Sequence, residues 1–238
     1  MSETLPTAAG RVLAIETSQT AGSVALLENG QLVAESMLPA TERSAKTLAP
    51  AIDAILRAAA WEPSSLELIV VVRGPGSFTG LRIGVTTAKM LALALDCPLI
   101  SVLINDVLAE QVCQSLSAES LQGVTIKSAI DAYRQQLFTA EHRLDAQGTL
   151  QGTRETELED LDAWLAALDE HSLVTGPILK RIASKLPAAA KVALSEEWEP
   201  RAGIAGQLGW KDFCAGRREN PAQLVPFYIR PSYAEEKK

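Results

Sequence analysis

The residues best suited to chemistry lie in Arg73-Gly-Pro-Gly-Ser-Phe-Thr-Gly-Leu-Arg-Ile-Gly84. A glycine turn between a buried strand and a helix directs backbone N–H groups and the positive helix end at one spot, which suits an anion such as a nucleotide phosphate. Gly74, Gly76, Ser77 and Thr79 would hold it. The same glycines also fit a plain turn that needs only their backbone freedom. The stretch is not a P-loop, because no Gly-Lys-Ser/Thr follows at the required spacing. Nor is it G-x-G-x-x-G, because Thr79 stands where the third glycine belongs. A second candidate is Glu16-Thr17-Ser18, a carboxylate and two hydroxyls at the end of a β-rich run. Local capping at a loop entry also accounts for such a triplet.

Other catalytic kits are missing from the sequence. His142 and His171 are the only histidines, and without H-x-x-x-H or H-E-x-x-H spacing they make no histidine-pair metal site. No G-x-S-x-G elbow surrounds Ser77 or any other serine, so nucleophilic hydrolysis has no support. Cys97, Cys113 and Cys214 are odd in number, distant and never in a C-x-x-C pair, and read as small buried apolar residues. Asp131-Ala-Tyr-Arg-Gln-Gln136 reads as a hairpin turn with Tyr133 and Arg134 as a surface pair. The expectation is a chain with no catalytic residue and no metal ligand of its own.

The elements that must position these residues can be placed by periodicity. Arg11–Thr17, Gly22–Leu27 and Leu32–Met37 are β-rich, and Asn29-Gly30 between the last two is a strong type I′ hairpin signal. From Thr41 the apolar residues Ala45, Leu48, Ala49, Ile52, Ile55, Leu56 and Ala59 recur at helical spacing, with Pro50 expected to kink or divide the helix. Leu66–Val72 is a nearly continuous apolar, β-branched run, as in a parallel strand covered on both faces. A helix to Leu95 and a short strand at Pro98–Val102 complete the first half. The helix Leu81–Leu95 is apolar almost all round: Leu81, Val85, Ala88, Ala92 and Leu95 suit the sheet, while Ile83, Met90 and Ala94 beside Thr86 and Thr87 need a second cover. In the second half Asn105–Leu116, Leu158–Leu168, Ile178–Leu186 and Ala202–Ala215 read as helices, and Val124–Ile130, Gln136–Leu144 and Ser172–Thr175 as strands. Asp145–Asp160 reads as a polar surface connection.

Composition narrows the class. The 238 residues are 47% hydrophobic and 21% charged, which fits a soluble folded protein of one large or two small domains. Twenty-two Lys and Arg against 29 Asp and Glu give a net charge of −7, which offers no electrostatic footprint for gripping a phosphate backbone. Any contact with nucleic acid is therefore expected to be indirect. The apolar runs Leu66–Val72 and Met90–Leu95 fall short of a membrane span, and Met1–Gly10 carries no secretory signal, so a cytoplasmic protein is expected.

Three strands, helix, strand, helix, strand is the order of the ribonuclease H-like half found in actin, sugar kinases and the 70-kilodalton heat-shock ATPases. The expectation is an α/β protein of actin-like (ASKHA, ribonuclease H-like) fold with two mixed-sheet lobes, the second reduced. Residues 1–104 would form the first lobe, with 222–238 returning to it, and 105–221 the second. In such folds an acidic residue and hydroxyls at the position of Glu16, Thr17 and Ser18 stand near a nucleotide.

Leu13-Ala-Ile-Glu-Thr-Ser18 with Gly22-Ser-Val-Ala-Leu26, the glycine stretch Arg73–Gly84 and the closing Pro226-Phe-Tyr-Ile-Arg230 resemble the TsaB (YeaZ) family over most of the chain. The resemblance implies a non-catalytic subunit that binds and stabilises TsaD in forming threonylcarbamoyladenosine (t6A) on ANN-decoding tRNAs. It further implies TsaE in a ternary complex, a homodimer when TsaD is absent, and ATP or ADP at the partner interface. A partner would dock on the two helices through Arg43, Ser44, Leu48, Ile52, Ile83, Thr86, Thr87 and Met90. The chain departs from the family's usual pattern at Glu16, often Asp, and at Arg43-Ser44, often His-Ser. It also departs at Asp131–Gln136, where the family tends to read Asp-Ala-Arg-x-Gly-Glu. The alternative reading is a small actin-like ATPase or transferase, or a glycoprotease-like hydrolase, acting on its own.

Overall fold

A computed structural model of the chain describes residues 10–40 and 44–229, with the backbone alone for Ser44. The fold is α/β with two five-stranded mixed sheets, one in each of two compact units.

Of the described residues, the first unit comprises 10–40, 44–102 and 201–226. Its strands are β1 (Arg11–Glu16), β2 (Ser23–Glu28), β3 (Gln31–Met37), β4 (Leu68–Gly74) and β5 (Leu99–Leu103), in the sheet order β3-β2-β1-β4-β5. β1 pairs antiparallel with β2 and parallel with β4, and β2 pairs antiparallel with β3. The hairpin turn is at Asn29 and Gly30, both at positive φ, as a type I′ turn requires. One sheet face, through Leu13, Ile15, Ile69 and Val71, packs on α1 (Ser44–Ala58) and α2 (Phe78–Leu95). The other packs on α6 (Ala202–Cys214), where a Cβ at Gly206 would touch Ala14 and Leu27, and one at Gly209 would touch Val70. β1 and β4 are therefore covered on both sides, as their continuous apolar runs require.

Three expectations are corrected in this unit. α1 runs undivided through Pro50, which lies on its exposed side, where the carbonyl freed by the missing N–H can meet water. α6 packs on β1, β2 and β4, so the units divide near 102 and 200 and not near 104 and 221. α2 spans 18 residues and is long and apolar enough to cross a bilayer by length and composition, but Leu81, Val85, Ala88 and Ala92 bury one side of it within the unit.

Of the described residues, the second unit comprises 103–200 and 227–229. Its sheet order is β10-β9-β6-β7-β8, from β6 (Thr125–Asp131), β7 (Gln136–Leu144), β8 (Leu150–Asp160), β9 (Ser172–Thr175) and β10 (Lys191–Val192). β6 is antiparallel to β7 and parallel to β9, which repeats the β1, β2, β4 arrangement. α3 (Ile104–Ser115) covers one face, with Ala109 and Val112 against Ile126 and Leu173. α4 (Leu161–Ala166) and α5 (Leu179–Ile182) cover the other, with Trp164 and Ile182 against Ala129 and Val174.

β8 corrects the expectation of a surface connection over 145–160. It is an edge strand with little apolar alternation, and its cross-strand support on β7 is the Arg154–Glu141 ion pair and the hydrogen bond that Thr139 donates to Glu159, with Arg154 also paired to Glu157 and Glu159 of its own strand. α4 is correspondingly shorter than the helix expected from Leu158, with the Asp160 carboxylate accepting from the N–H groups of Asp162 and Ala163 at its start.

Candidate functional site

The end of β1 and the start of α2 meet in the first unit. Glu16, Thr17 and Ser18 are all fully buried. The Ser18 N–H and hydroxyl both donate to Glu16 Oε1. Thr17 Oγ1 donates to the Gly80 carbonyl at 2.9 Å, and the Ser77 N–H donates to the Ser18 carbonyl at 2.8 Å.

The glycines of the motif are explained by this contact. A Cβ at Gly76 would lie 2.4 Å from the Ser18 carbonyl oxygen, one at Gly80 2.0 Å from that of Thr17, and one at Gly84 2.2 Å from Thr17 Oγ1. Gly74 and Gly76 also take φ of 132° and 156°. Ser77 caps α2 by accepting from the Gly80 N–H at 3.3 Å, and the Arg82 guanidinium stacks 3.8 Å over Phe78. Ser77 and Thr79 are exposed, while Gly74 is buried. All seven residues assigned to a phosphate site thus gather at one turn. At that turn Glu16, Thr17 and Ser18 are engaged with one another and with α2.

The proposed partner face divides into exposed and buried parts. Leu48 is 1% exposed and Ile52 7%, and both belong to the core, so they do not face a partner as expected. Helical spacing identifies an apolar stripe on α1, and that stripe meets β2, β3 and α2. Ile83 is half-buried against the same core and Thr87 is half-buried. Thr86 is exposed and Met90 is 61% exposed. Arg43 lies outside the described residues, and of Ser44 only the backbone at the start of α1 is described. Leu93, 59% exposed, extends the apolar stripe of Met90 and was not singled out by sequence, because its type alone does not reveal exposure. Beside it a groove of about 640 Å³ between α1 and α2 is lined by Leu56, Trp61, Leu66, Thr87, Leu91 and Leu95.

In the second unit His142 is buried, its Nε2 2.9 Å from Asp106 Oδ1 on α3. The nearby buried Asn105 donates to Ser128 Oγ at 2.8 Å, and that hydroxyl faces the Ala140 carbonyl at 3.5 Å. The serine is thus committed to the α3–sheet contact. Among the described residues no three His, Cys, Asp or Glu side chains form a metal-binding group. Burial, together with Glu67 and Asp96, pushes the Cys97 thiol up to about 12, and burial beside Glu110 pushes that of Cys113 up to about 11.

With this geometry in place, similarity to known proteins becomes informative. A family model described as TsaD, tRNA N6-adenosine threonylcarbamoyltransferase, matches residues 38–202, from before α1 to the start of α6. The tRNA threonylcarbamoyladenosine biosynthesis protein TsaB of Bacillus subtilis (strain 168) is 30% identical over 236 residues, covering 95% of this chain and 96% of that protein. The chain belongs to the TsaB family. TsaB of Escherichia coli (strain K12) is 35% identical over 148 residues, 62% of this chain and 61% of that protein. The structure of YeaZ from Pseudomonas aeruginosa superposes with a TM-score of 0.74 at 25% identity, covering 92% of this chain and 99% of that one. The TsaB match spans both sheets, so the two-unit actin-like architecture is that of the family. TsaB proteins carry the name of tRNA threonylcarbamoyladenosine biosynthesis, which places this chain in that process.

Proposed function

We propose that the chain is a non-catalytic subunit that binds and stabilises a TsaD-type threonylcarbamoyltransferase in forming t6A on ANN-decoding tRNAs in the cytoplasm. The observation that carries this reading is the exposed apolar side of α2, Thr86, Met90 and Leu93, on a helix whose other side is core. Water is a poor solvent for such a stripe, and the adjacent groove offers depth for a partner's side chains. A TsaD helix covers the stripe in the heterodimer, a second copy covers it when TsaD is absent, and TsaE joins as the third component. The Thr17 hydroxyl is spent on the β1–α2 contact and the Ser18 hydroxyl on Glu16, which supports placing ATP or ADP at the partner interface and not within this turn.

Co-expression with the cognate TsaD followed by size exclusion tests the reading. Co-elution as a heterodimer is expected, and separate elution overturns it. Submicromolar ATP binding with turnover by the isolated chain would instead establish an autonomous ATPase.

A further inference from the structure

The turn joining β6 to β7 holds three successive residues in the left-handed region, none of them glycine: Tyr133 at φ 61°, Arg134 at 53° and Gln135 at 60°. L-residues rarely adopt this conformation singly, and a bulky one at such φ marks a position the surroundings must impose. They do so from several sides. Asp131 Oδ1 accepts the Tyr133 N–H at 2.9 Å, and Arg181 clamps the Asp131 carboxylate with two bonds of 2.6 and 3.2 Å. The Ala132 N–H donates to the Gln136 carbonyl and the Gln136 N–H to that of Tyr133, both at 3.0 Å, while the Leu161 N–H donates to the Gln135 carbonyl at 2.8 Å. The result is a rigid tip whose three side chains are exposed. Tyr133, at 72%, is the most exposed large hydrophobic side chain among the described residues.

We propose that this tip is a stacking contact for an unpaired base of the substrate tRNA. A flat ring, a guanidinium and an amide are the groups that stack on a base and bond its edges. Three side chains at a turn offer far less than the roughly 800 Å² per partner of a stable protein interface, but enough for one nucleobase. Asp131, Asp160 and Asp162 offset Arg134 and Arg181 around the turn, so it has no net positive charge to hold phosphate, and the exposed ring of Tyr133 is what it offers RNA. Stacking does not need a net positive chain, and this one carries −7. The inference rests on the subunit reading above. It differs from the expectation that tRNA is contacted only indirectly, since one base is held directly while the partners hold the rest.

The test uses the chain assembled with its transferase and compares wild type, Tyr133→Ala and Tyr133→Phe. Tyr133→Ala is expected to raise the KM for tRNA about tenfold with kcat, melting temperature and co-elution unchanged, and Tyr133→Phe to stay within about twofold. An unchanged KM in Tyr133→Ala overturns the proposal. Lost co-elution of Tyr133→Ala also overturns it, because it would make the tip a protein contact. Failure of the wild-type chain to co-elute counts against the subunit reading. The tip is then read on the chain alone, by crosslinking to tRNA carrying 4-thiouridine in its unpaired loop, which must fall severalfold in Tyr133→Ala for the proposal to stand.

Discussion

Two crossovers in this molecule share one plan at different lengths. In the first unit β4 runs parallel to β1, turns at glycine and enters the 18-residue α2. In the second β9 runs parallel to β6, turns at Gly176 and enters the four-residue α5. Both turns press a glycine onto a neighbouring backbone. A Cβ at Gly80 would lie 2.0 Å from the Thr17 carbonyl oxygen, and one at Gly176 2.1 Å from that of Ala129. The shared feature is therefore close packing against the first strand or its turn, and the difference lies in the helix that the turn opens. The 18-residue α2 leaves Thr86, Met90 and Leu93 exposed on the side away from its sheet, whereas the exposed residues of α5 are the charged Lys180 and Arg181. The side proposed above to take a partner therefore comes from residues of α2 beyond the glycine motif.

The strongest test of this comparison replaces each glycine. Gly176→Ala meets both the Ala129 backbone and a φ of 123° that L-residues avoid, and should cost about 4 kcal/mol in urea unfolding. Gly80→Ala meets a backbone oxygen as closely but gains helix propensity, and should cost about 2 kcal/mol. If Gly80→Ala were stabilising, the packing account of the motif would be wrong.

The next test separates the sides of the helical layer. Leu48→Ala should destabilise the isolated chain by about 3 kcal/mol, as a core truncation does, although the family resemblance implied that Leu48 meets a partner. Met90→Arg should leave the melting temperature within a degree or two, because its side chain is already in water, and weaken TsaD binding by about 2–5 kcal/mol by burying an unpaired charge. Equal binding by Met90→Arg and wild type in titration calorimetry would remove α2 from the interface.

A smaller effect distinguishes the two hairpin turns. Asn29-Gly30 uses residues suited to positive φ, whereas Gln135 at φ 60° has no such preference. Gln135→Gly should therefore raise stability by about 1 kcal/mol, the sign opposite to that of Asn29→Val. A destabilised Gln135→Gly would show that the Gln135 side chain contributes more than its backbone costs.

How much could be read beforehand varies with the physics involved. Periodicity located β1 to β5 and α2, because burial on one or two faces leaves a pattern in residue type. It missed β8, where the cross-strand Arg154–Glu141 pair and Thr139–Glu159 hydrogen bond, and not apolar alternation, support the register. The glycine stretch identified where the candidate site would be, but not that Gly76, Gly80 and Gly84 admit Thr17 and Ser18, since that approach joins segments some 60 residues apart. The sequence marks a hairpin turn at Asp131–Gln136 but not its left-handed run at Tyr133–Gln135, because Tyr, Arg and Gln carry no preference for it and the surrounding hydrogen bonds impose it.

The smallest expected effect concerns the cysteines, which separate the covered and open parts of the first unit. Burial against the sheet core, with Glu67 and Asp96 nearby, pushes the Cys97 thiol from an ordinary 9.0 up to about 12, whereas Cys214 at the end of α6 is exposed. An alkylating reagent at pH 8 should therefore modify Cys214 within minutes and spare Cys97 until the chain unfolds, because only the thiolate attacks and the buried thiol stays protonated. The same shift sets a sign for stability. Below pH 9 the thiol is protonated in both folded and unfolded chains and its contribution is fully present. Between pH 9 and about 12 the unfolded chain releases a proton that the folded one keeps, so stability falls with rising pH. Cys97→Ala should flatten that alkaline limb slightly in urea unfolding at pH 8 and pH 10. Rapid alkylation of Cys97 in the folded chain would mean that the layer between α2 and the sheet opens locally.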